Sequence, residues 1–204
     1  MKQFLFYVVT LLCFTCTVGA QVSIGDVPPP KDGQWYKIRV VKTGKYLSVE
    51  NASKDNGARI VQTDYTGRHS QRFMVKKTAD GMFSFFAGHS NKSICTDKGD
   101  GREGDMIIQN TLSQYFGKWH LRYLIQTGCL QGWQIVYNSN TGKPMQISGE
   151  ANGAFCQLIE PKHQDGDFDC CYVFQFEPVE EPPMMLQSKG AHYKPLNVEK
   201  AKKN

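Results

Sequence analysis

The feature that most constrains the fold of this 204-residue chain is a pattern that occurs three times. Each copy contains four short runs of β-branched and aromatic residues, separated by turn-forming segments, which is typical of short strands. A glycine precedes each third run, at spacings of 47 and 49 residues, and is found at Gly57, Gly104 and Gly153. An aromatic residue lies in each fourth run, at Phe73, Trp119 and Phe174. A period of this length indicates one supersecondary unit, repeated because no single copy buries its own apolar face.

Three units of four strands predict an all-β fold of twelve strands, with repeats at about 35–77, 82–124 and 132–177. Such a chain has few compact solutions because its edge strands must be paired or covered. A β-trefoil over residues 35–178, with six strands in a short barrel and six in hairpins that cap one end, uses all twelve. Period-two alternation then predicts an inward-facing set, which consists of Ile38, Leu47, Ile60, Phe73, Phe85, Ile94, Ile107, Trp119, Ile135, Met145, Cys156 and Phe174.

The first repeat resembles a known family. It reads YKIRVVKTGKYLSVENASKDNGARIVQTD followed by SQRF, which is similar to the ricin-B type, or QxW, lectin repeat with its final Gln-x-aromatic motif. Gln71-Arg72-Phe73 keeps the glutamine and has Phe in the aromatic place, whereas the second repeat keeps only Trp119 and the third keeps neither. The resemblance covers about residues 35–177 and implies a carbohydrate-binding β-trefoil whose partners are glycans or glycoproteins.

The resemblance also implies where a sugar would lie. In the ricin-like family it sits between an Asp in the second strand, an aromatic platform after the third strand and an Asn-Gln pair in the final motif. At the Asp position the three repeats have Ser48, Cys95 and Gln146, and at the platform position they have Thr63, Thr111 and Ile159. The usual galactose-binding geometry is therefore not expected.

One loop nevertheless combines suitable side chains. Between the third and fourth strands of the first repeat lie four candidate carbohydrate-binding residues, Asp64, Tyr65, His69 and Gln71. A carboxylate, an imidazole and an amide supply donors and acceptors for sugar hydroxyls, and a phenol ring stacks on the apolar face of a sugar. We expect weak glycan binding here, although the same residues are also typical of a plain turn.

The first twenty residues have the pattern of a secretory signal peptide. Lys2 precedes an apolar, uncharged run from Phe4 to Val18, and Val18-Gly19-Ala20 forms a small-residue cleavage site. The run is shorter than the ~20 apolar residues that a membrane-spanning helix needs. The sequence therefore predicts a secreted, extracellular protein without stable membrane insertion.

Two further segments lie outside the predicted repeats. Residues 21–34 contain three consecutive prolines and are predicted to form an extended leader, because proline supplies no backbone donor. Residues 179–204 lack strand alternation and are predicted to form a flexible C-terminal tail. Lys2 is the only charged residue in the signal peptide, so its removal lowers the formal net charge from +5 to +4. This mild excess is spread along the chain, and a nucleic-acid partner is not expected.

Five cysteines follow the signal peptide, at Cys95, Cys129, Cys156, Cys170 and Cys171. In an oxidising compartment they should pair, and the odd number predicts two internal disulfides and one thiol that is capped or joins two chains. The neighbours Cys170 and Cys171 point to opposite faces of a strand, so each is expected to bond elsewhere. Fifteen pairings remain open.

The sequence also bears on glycosylation, metal binding and catalysis. Asn51 and Asn91 open Asn-x-Ser triplets in predicted turns and are candidates for glycosylation. The cysteine and histidine spacings match no zinc motif, and the acidic stretches at 97–105 and 165–169 are typical of turns, so neither a metal nor a cofactor is expected. The catalytic motifs Gly-x-Ser-x-Gly and His-Glu-x-x-His are absent, and we predict a protein without enzyme activity.

Three functions fit these features. The first is a secreted carbohydrate-binding protein, as the resemblance implies. The second is a β-trefoil that binds proteins through its loops, such as a protease inhibitor or a growth-factor-like module. The third is a lectin-like domain whose sugar sites have decayed. Fold alone does not choose among them.

Overall fold

The computed structural model describes residues 28–111, 117–124, 132–137, 141–160 and 170–181. They form twelve β-strands in chain order, β1 to β12: Trp35–Val40, Tyr46–Val49, Ile60–Thr63, Phe73–Lys77, Phe83–Ala87, Ser93–Thr96, Ile107–Asn110, Trp119–Leu124, Gly132–Tyr137, Met145–Ile147, Cys156–Leu158 and Phe174–Pro178. Three short 3-10 turns complete the regular structure, at Glu50–Ala52, His69–Gln71 and Cys170–Tyr172. Within these ranges no helix has the length and apolarity that crossing a membrane requires.

Six strands close into an antiparallel ring. β1 pairs with β4 and β12, β5 with β4 and β8, and β9 with β8 and β12. A closed ring leaves no unpaired edge. The other six strands form the hairpins β2–β3, β6–β7 and β10–β11. This arrangement confirms the predicted β-trefoil of three four-stranded repeats.

The core lies inside the ring and under the three hairpins. All twelve side chains predicted to face inward are buried, with relative exposures of 3% or less. Trp119 is the largest of the fully buried residues, and its indole Nε1 donates a hydrogen bond to the backbone oxygen of Ile94, 3.0 Å away. The period-two alternation of apolar residues along the short strands therefore identified the core correctly.

Backbone hydrogen bonds at three equivalent glycine turns join the repeats. The amide of Gly57 donates to Gln109 O at 2.9 Å, that of Gly104 to Leu158 O at 2.9 Å, and that of Gly153 to Gln62 O at 2.8 Å. Each bond leads from one repeat to the third strand of another, so the three bonds form a cycle. The glycines have φ angles of 85°, 82° and 86°, a conformation that side chains disfavour. This geometry explains why a glycine recurs before each third strand.

Two buried glutamines reinforce this cycle. Gln62 Nε2 donates to the backbone oxygens of Gly149 and Ala151 at 2.9 and 3.1 Å. Gln109 Nε2 makes the same pair of contacts with Ser53 and Asp55 at 2.8 and 2.9 Å. Each amide therefore satisfies two carbonyl groups in the turn of another repeat, which a buried turn needs.

The third interface lacks such a glutamine because Leu158 occupies its place. A buried aspartate, Asp105, lies in the adjoining turn, and its Oδ2 accepts a hydrogen bond from the amide of Arg102 at 3.0 Å. Burial and a hydrogen bond with the carboxyl group of Asp100 raise the pKa of Asp105. Lys98 Nζ lies 3.7 Å from the other oxygen, Oδ1. One of the three interfaces between repeats thus contains a buried carboxyl group, that of Asp105, whose protonation changes with pH.

The disulfide prediction is wrong for the cysteines that the structure describes. Cys95, Cys156 and Cys171 are buried and form no disulfide. Burial raises the pKa of the Cys95 thiol to about 11 and also raises that of Cys156. Buried thiols with raised pKa values are inert, and burial keeps Cys95 and Cys156 from reaching a second chain. Cys129 and the side chain of Cys170 lie outside the described residues. Since the other three form no disulfide, these two cysteines could make one bridge between them, and the two predicted internal disulfides cannot both form.

The end of the predicted leader is attached to the barrel. Gly33 N donates to Val75 O at 2.8 Å, and Asp32 Oδ1 accepts from Lys77 N at 2.7 Å. Lys31 N donates to the hydroxyl of Tyr36 at 2.8 Å. Hydrogen bonding to the first repeat therefore begins a few residues before β1. The predicted signal peptide, residues 21–27 and most of the predicted tail lie outside the described residues.

Replacing Trp119 by Ala should destabilise the fold by ~3–5 kcal/mol, because a fully buried aromatic side chain is deleted. Urea unfolding of the wild type and the variant measures the difference. Trp119→Phe is the matched control, since it keeps a ring in the core while removing the bond to Ile94 and part of the buried ring volume, and it should cost less than Trp119→Ala. A loss below about 1 kcal/mol for Trp119→Ala would exclude this side chain from the core.

Replacing Asp105 by Asn should change how stability depends on pH. The pKa of Asp105 is raised above the ordinary 3.8 in the folded state, so the folded protein holds this proton more tightly than the unfolded chain. The wild type therefore loses stability as the pH rises from 3.8 through the folded-state pKa, whereas the neutral Asn does not. Unfolding free energies of both proteins are measured from about pH 3.5, below the ordinary carboxyl pKa, to about pH 7. As the pH rises, Asp105→Asn should become more stable relative to the wild type. A difference that stays constant with pH contradicts this assignment.

Candidate functional site

The loop between β3 and β4 is built on the buried amide of Gln71. This side chain is 1% exposed. Its Nε2 donates to Thr63 Oγ1 and to Asp64 O at 2.9 and 2.8 Å, and its Oε1 accepts from Thr66 N and Thr66 Oγ1 at 2.8 and 3.0 Å. All of its hydrogen-bonding capacity is used inside the loop. Gln71 therefore supports the loop from below and does not present its amide to a ligand.

Asp64 lies on the surface of this loop, beside the third repeat. Asn152 Nδ2 donates to its Oδ2 at 2.8 Å, and Lys45 Nζ lies 3.1 Å from its Oδ1. The amide of Asp64 in turn donates to Asn152 Oδ1 at 3.1 Å. The hydrogen bonds from Asn152 and Lys45 lower the pKa of Asp64. The carboxylate is therefore ionised, oriented and accessible.

Tyr65 is the one large hydrophobic side chain that the described residues leave exposed, at 38%. Its ring packs against that of Tyr46, with centroids 5.0 Å apart and planes at 48°. Lys37 Nζ lies 4.6 Å from the centroid of Tyr65 and 2.8 Å from Glu177 Oε2. The hydroxyl of Tyr46 donates to the same Glu177 oxygen at 3.2 Å. These contacts hold the ring in place while one side stays open to solvent.

Charged groups surround this ring in matched pairs. The hydrogen bond with Glu177 raises the pKa of Lys37, so the ammonium group is charged across the neutral range. Lys45 and Asp64 form the second pair. We call the set the tyrosine surface; its members are Lys37, Lys45, Tyr46, Asp64, Tyr65, Asn152 and Glu177. It offers a stacking ring, two ammonium donors and two carboxylate acceptors.

His69 faces a different part of the molecule. It is half-buried in the 3-10 turn before β4 and lines a recess together with His89 of the second repeat. Asp64 and Tyr65 do not line that recess, and their side-chain contacts are with the first and third repeats. Of the four predicted residues, the structure therefore brings Asp64 and Tyr65 together, buries Gln71 beneath them and places His69 elsewhere.

Sequence reasoning did not identify most of the tyrosine surface. Lys37 and Glu177 are direct cross-strand partners in the β1–β12 pair, and Tyr46 lies opposite Thr63 in the β2–β3 hairpin. Tyr46 could have been found from the sequence, because the hairpin register places it opposite Thr63, two residues before Tyr65. Asn152 comes from the glycine turn of the third repeat, and nothing in the local sequence links it to Asp64.

The family's usual acceptor position is not available in two repeats. Ser48 and Cys95 are buried, at 6% and 2% exposure, and the Ser48 hydroxyl donates to Val49 O at 3.3 Å. Thr63 Oγ1 accepts the bond from Gln71 described above. The usual sugar contacts are therefore replaced by internal packing.

The two candidate glycosylation sites are accessible. Asn51 and Asn91 are both exposed, and both have positive φ angles, 52° and 56°, in turns. Exposure is what attachment of a glycan requires, and the modification itself stays a prediction. In the described part of the chain, no three His, Cys, Asp or Glu side chains are grouped so that they could hold a metal ion.

The family comparison agrees with this architecture. Residues 23–110 match the family described as ricin-type beta-trefoil lectin domain-like. No curated protein sequence matches the chain.

Solved structures show the same fold. The designed three-fold symmetric protein ThreeFoil is 24% identical, with a TM-score of 0.59 over 70% of this chain and 96% of its own. A ricin B-like lectin of Macrolepiota procera, solved with lactose, is 14% identical, with a TM-score of 0.57 over 74% of this chain and 99% of its own. An exo-β-1,3-galactanase of Clostridium thermocellum is 21% identical, with a TM-score of 0.62 over 74% of this chain but 31% of its own. At these identities the likeness establishes the fold.

Replacing Gln71 by Ala should destabilise the protein by ~1–3 kcal/mol, because four polar groups of the loop lose their partner. Tyr65→Ala should cost less than about 1 kcal/mol, since the ring is partly exposed and contributes one aromatic pair. Thermal or urea unfolding compares the two variants directly. Equal losses would contradict the supporting role of Gln71.

Proposed function

We propose that this chain, which contains a ricin-type β-trefoil lectin-like domain, is a secreted, non-catalytic carbohydrate-binding protein that recognises glycans or glycoproteins through its tyrosine surface. The observation that carries the proposal is the exposed ring of Tyr65, held by Tyr46 and Lys37 and bordered by ionised Asp64. A sugar has an apolar ring face that stacks on an aromatic group and hydroxyls that need donors and acceptors. The tyrosine surface supplies both.

The polar members of the surface are oriented before a ligand arrives. Asp64 is held by Asn152 and Lys45, and Glu177 is held by Lys37 and Tyr46. Pre-oriented groups lose less conformational freedom on binding, which favours affinity. The surface is nevertheless shallow and makes few contacts, so a monosaccharide should bind at about millimolar affinity, or ~4 kcal/mol.

Export from the cell is part of the proposal and is supported by the signal-peptide pattern of residues 1–20. Amino-terminal sequencing of protein recovered outside the cell should begin at Gln21. A chain that starts at Met1 and stays inside the cell contradicts this part.

Glycan binding is tested by a glycan array, followed by titration of the sugars that bind. Tyr65→Ala should weaken binding by about tenfold, the loss expected when a stacking ring is removed. Tyr65→Phe keeps the ring and should bind nearly as well as the wild type. Asp64→Ala removes a charged acceptor and should also weaken binding by about tenfold.

Asp80→Ala is the matched control for Asp64→Ala, because Asp80 is likewise an exposed aspartate paired with a lysine, Lys118, but lies in the turn between β4 and β5. It should leave binding unchanged. Equal effects of the two aspartate variants would show that the site lies elsewhere. If no glycan on the array binds, carbohydrate binding is contradicted and the protein-binding scaffold is favoured. Capture of partner proteins from the extracellular fluid is then the next measurement.

A further inference from the structure

The second half of the β3–β4 loop, next to the tyrosine surface, lines a shallow and open recess, which we call the basic recess. Its volume is about 380 Å³, and it is lined by Ala52, Thr66, Gly67, Arg68, His69, Ser70 and His89. The 3-10 turn at His69–Gln71 forms one wall, and the β5–β6 turn of the second repeat contributes His89. The recess therefore joins two repeats.

Cationic and imidazole groups converge on this recess. Three of its seven lining residues are Arg68, His69 and His89, and none carries a carboxylate. Lys54 and Lys92 add positive charge behind His89, and the ammonium group of Lys92 donates to Lys54 O. Burial, together with Lys54, His69 and Lys92, lowers the pKa of His89, which favours a neutral imidazole.

Acidic groups near the recess are committed elsewhere. Glu50 forms a bidentate pair with Arg59, with bonds of 2.9 and 2.6 Å. Asp55 Oδ2 accepts a hydrogen bond from Ser53 Oγ at 3.1 Å. Among the described residues, Arg68 makes no ion pair, and Nδ1 of His89 is buried without a hydrogen-bond partner. Within the described part of the chain, no carboxylate therefore pairs with Arg68.

We propose that the basic recess binds the acidic group, a sulfate ester or a carboxylate, of the saccharide that stacks on Tyr65. This inference rests on the proposed function and narrows its ligand to acidic glycans. An oxyanion supplies the acceptors that a guanidinium and imidazoles require, and charge-assisted bonds to such a group are among the strongest in proteins.

The two surfaces are close enough for one ligand. Tyr65 and Arg68 are three residues apart on the same loop, so their Cα atoms are separated by at most ~11 Å. A sugar stacked on the ring can therefore bring an acidic substituent within reach of the long side chain of Arg68. A nucleic acid fits less well, because its phosphate backbone is bound by several Lys and Arg side chains, whereas Arg68 is the one such residue in the lining of the recess.

Three probes test the two surfaces separately: galactose for the tyrosine surface, inorganic sulfate for the basic recess, and galactose 6-sulfate for both. NMR titration of the full exported chain gives the affinity of each and shows which residues respond. We expect galactose 6-sulfate to bind about tenfold more tightly than galactose. We expect inorganic sulfate to shift the signals of Arg68, His69 and His89.

Variants assign this gain to the recess. Arg68→Gln should reduce the affinity for galactose 6-sulfate to that for galactose and leave galactose binding unchanged. Arg122→Gln is the matched control, since Arg122 is an exposed arginine on β8, and it should have no effect. His69→Ala should lower the same gain in a second, independent way. Raising the salt concentration should reduce it further because exposed charges are screened.

Each contrary result has a separate meaning. Equal binding of galactose and galactose 6-sulfate overturns the assignment of the recess and leaves carbohydrate binding intact. Equal losses in Arg68→Gln and Arg122→Gln overturn it as well, because the effect is then one of net charge. If sulfate shifts the recess but neither sugar binds, the proposed function fails, and the saccharide ligand fails with it.

Discussion

The cyclic hydrogen bonds at the three glycine turns are the constraint on which the rest of this structure depends. Each turn donates its amide to the third strand of another repeat, so no repeat completes its backbone hydrogen bonding alone. The turns take φ angles of 82° to 86°, which glycine adopts without strain. The β3–β4 loop is attached to this frame through β3, whose Gln62 is bonded to the turn of the third repeat.

The frame explains why one repeat carries the candidate site. Gln71 holds the loop of the first repeat by four hydrogen bonds. The corresponding positions of the other repeats are Gly117 and Tyr172, which have no amide side chain. A loop that is supported from below can present Asp64 and Tyr65 in fixed positions, which a functional site requires. The three-fold backbone is thus used asymmetrically.

The backbone could be predicted from the sequence because its signals are local. A strand alternates with period two, and a glycine turn recurs at a fixed spacing, so Ile38, Trp119 and their equivalents were placed correctly in the core. The candidate site could be predicted only in part because its partners come from distant strands. Asn152 is 88 residues from Asp64, and the bond from Tyr46 to Glu177 spans 131 residues.

The cysteines show how a compositional argument fails. Five cysteines after a predicted signal peptide predict two bridges. The number of cysteines, however, carries no information on where each thiol lies in the fold. Cys95 on β6 and Cys156 on β11 are both buried and act as small apolar residues, and Cys156 belongs to the core cluster. Packing, rather than cross-linking, determines these two positions.

The β3–β4 loop finally places two surfaces of different charge beside each other. Its first residues meet the first and third repeats, where Lys37 and Lys45 are each balanced by a carboxylate. Its last residues meet the second repeat, where Arg68 and His69 face His89 with no acid in the lining. Under the proposed function, a neutral sugar contacts the first surface alone, whereas a ligand with a negative group contacts both. The unequal charge of the two sides would then provide a physical basis for selecting among glycans, because discrimination depends on the difference in binding free energy between ligands.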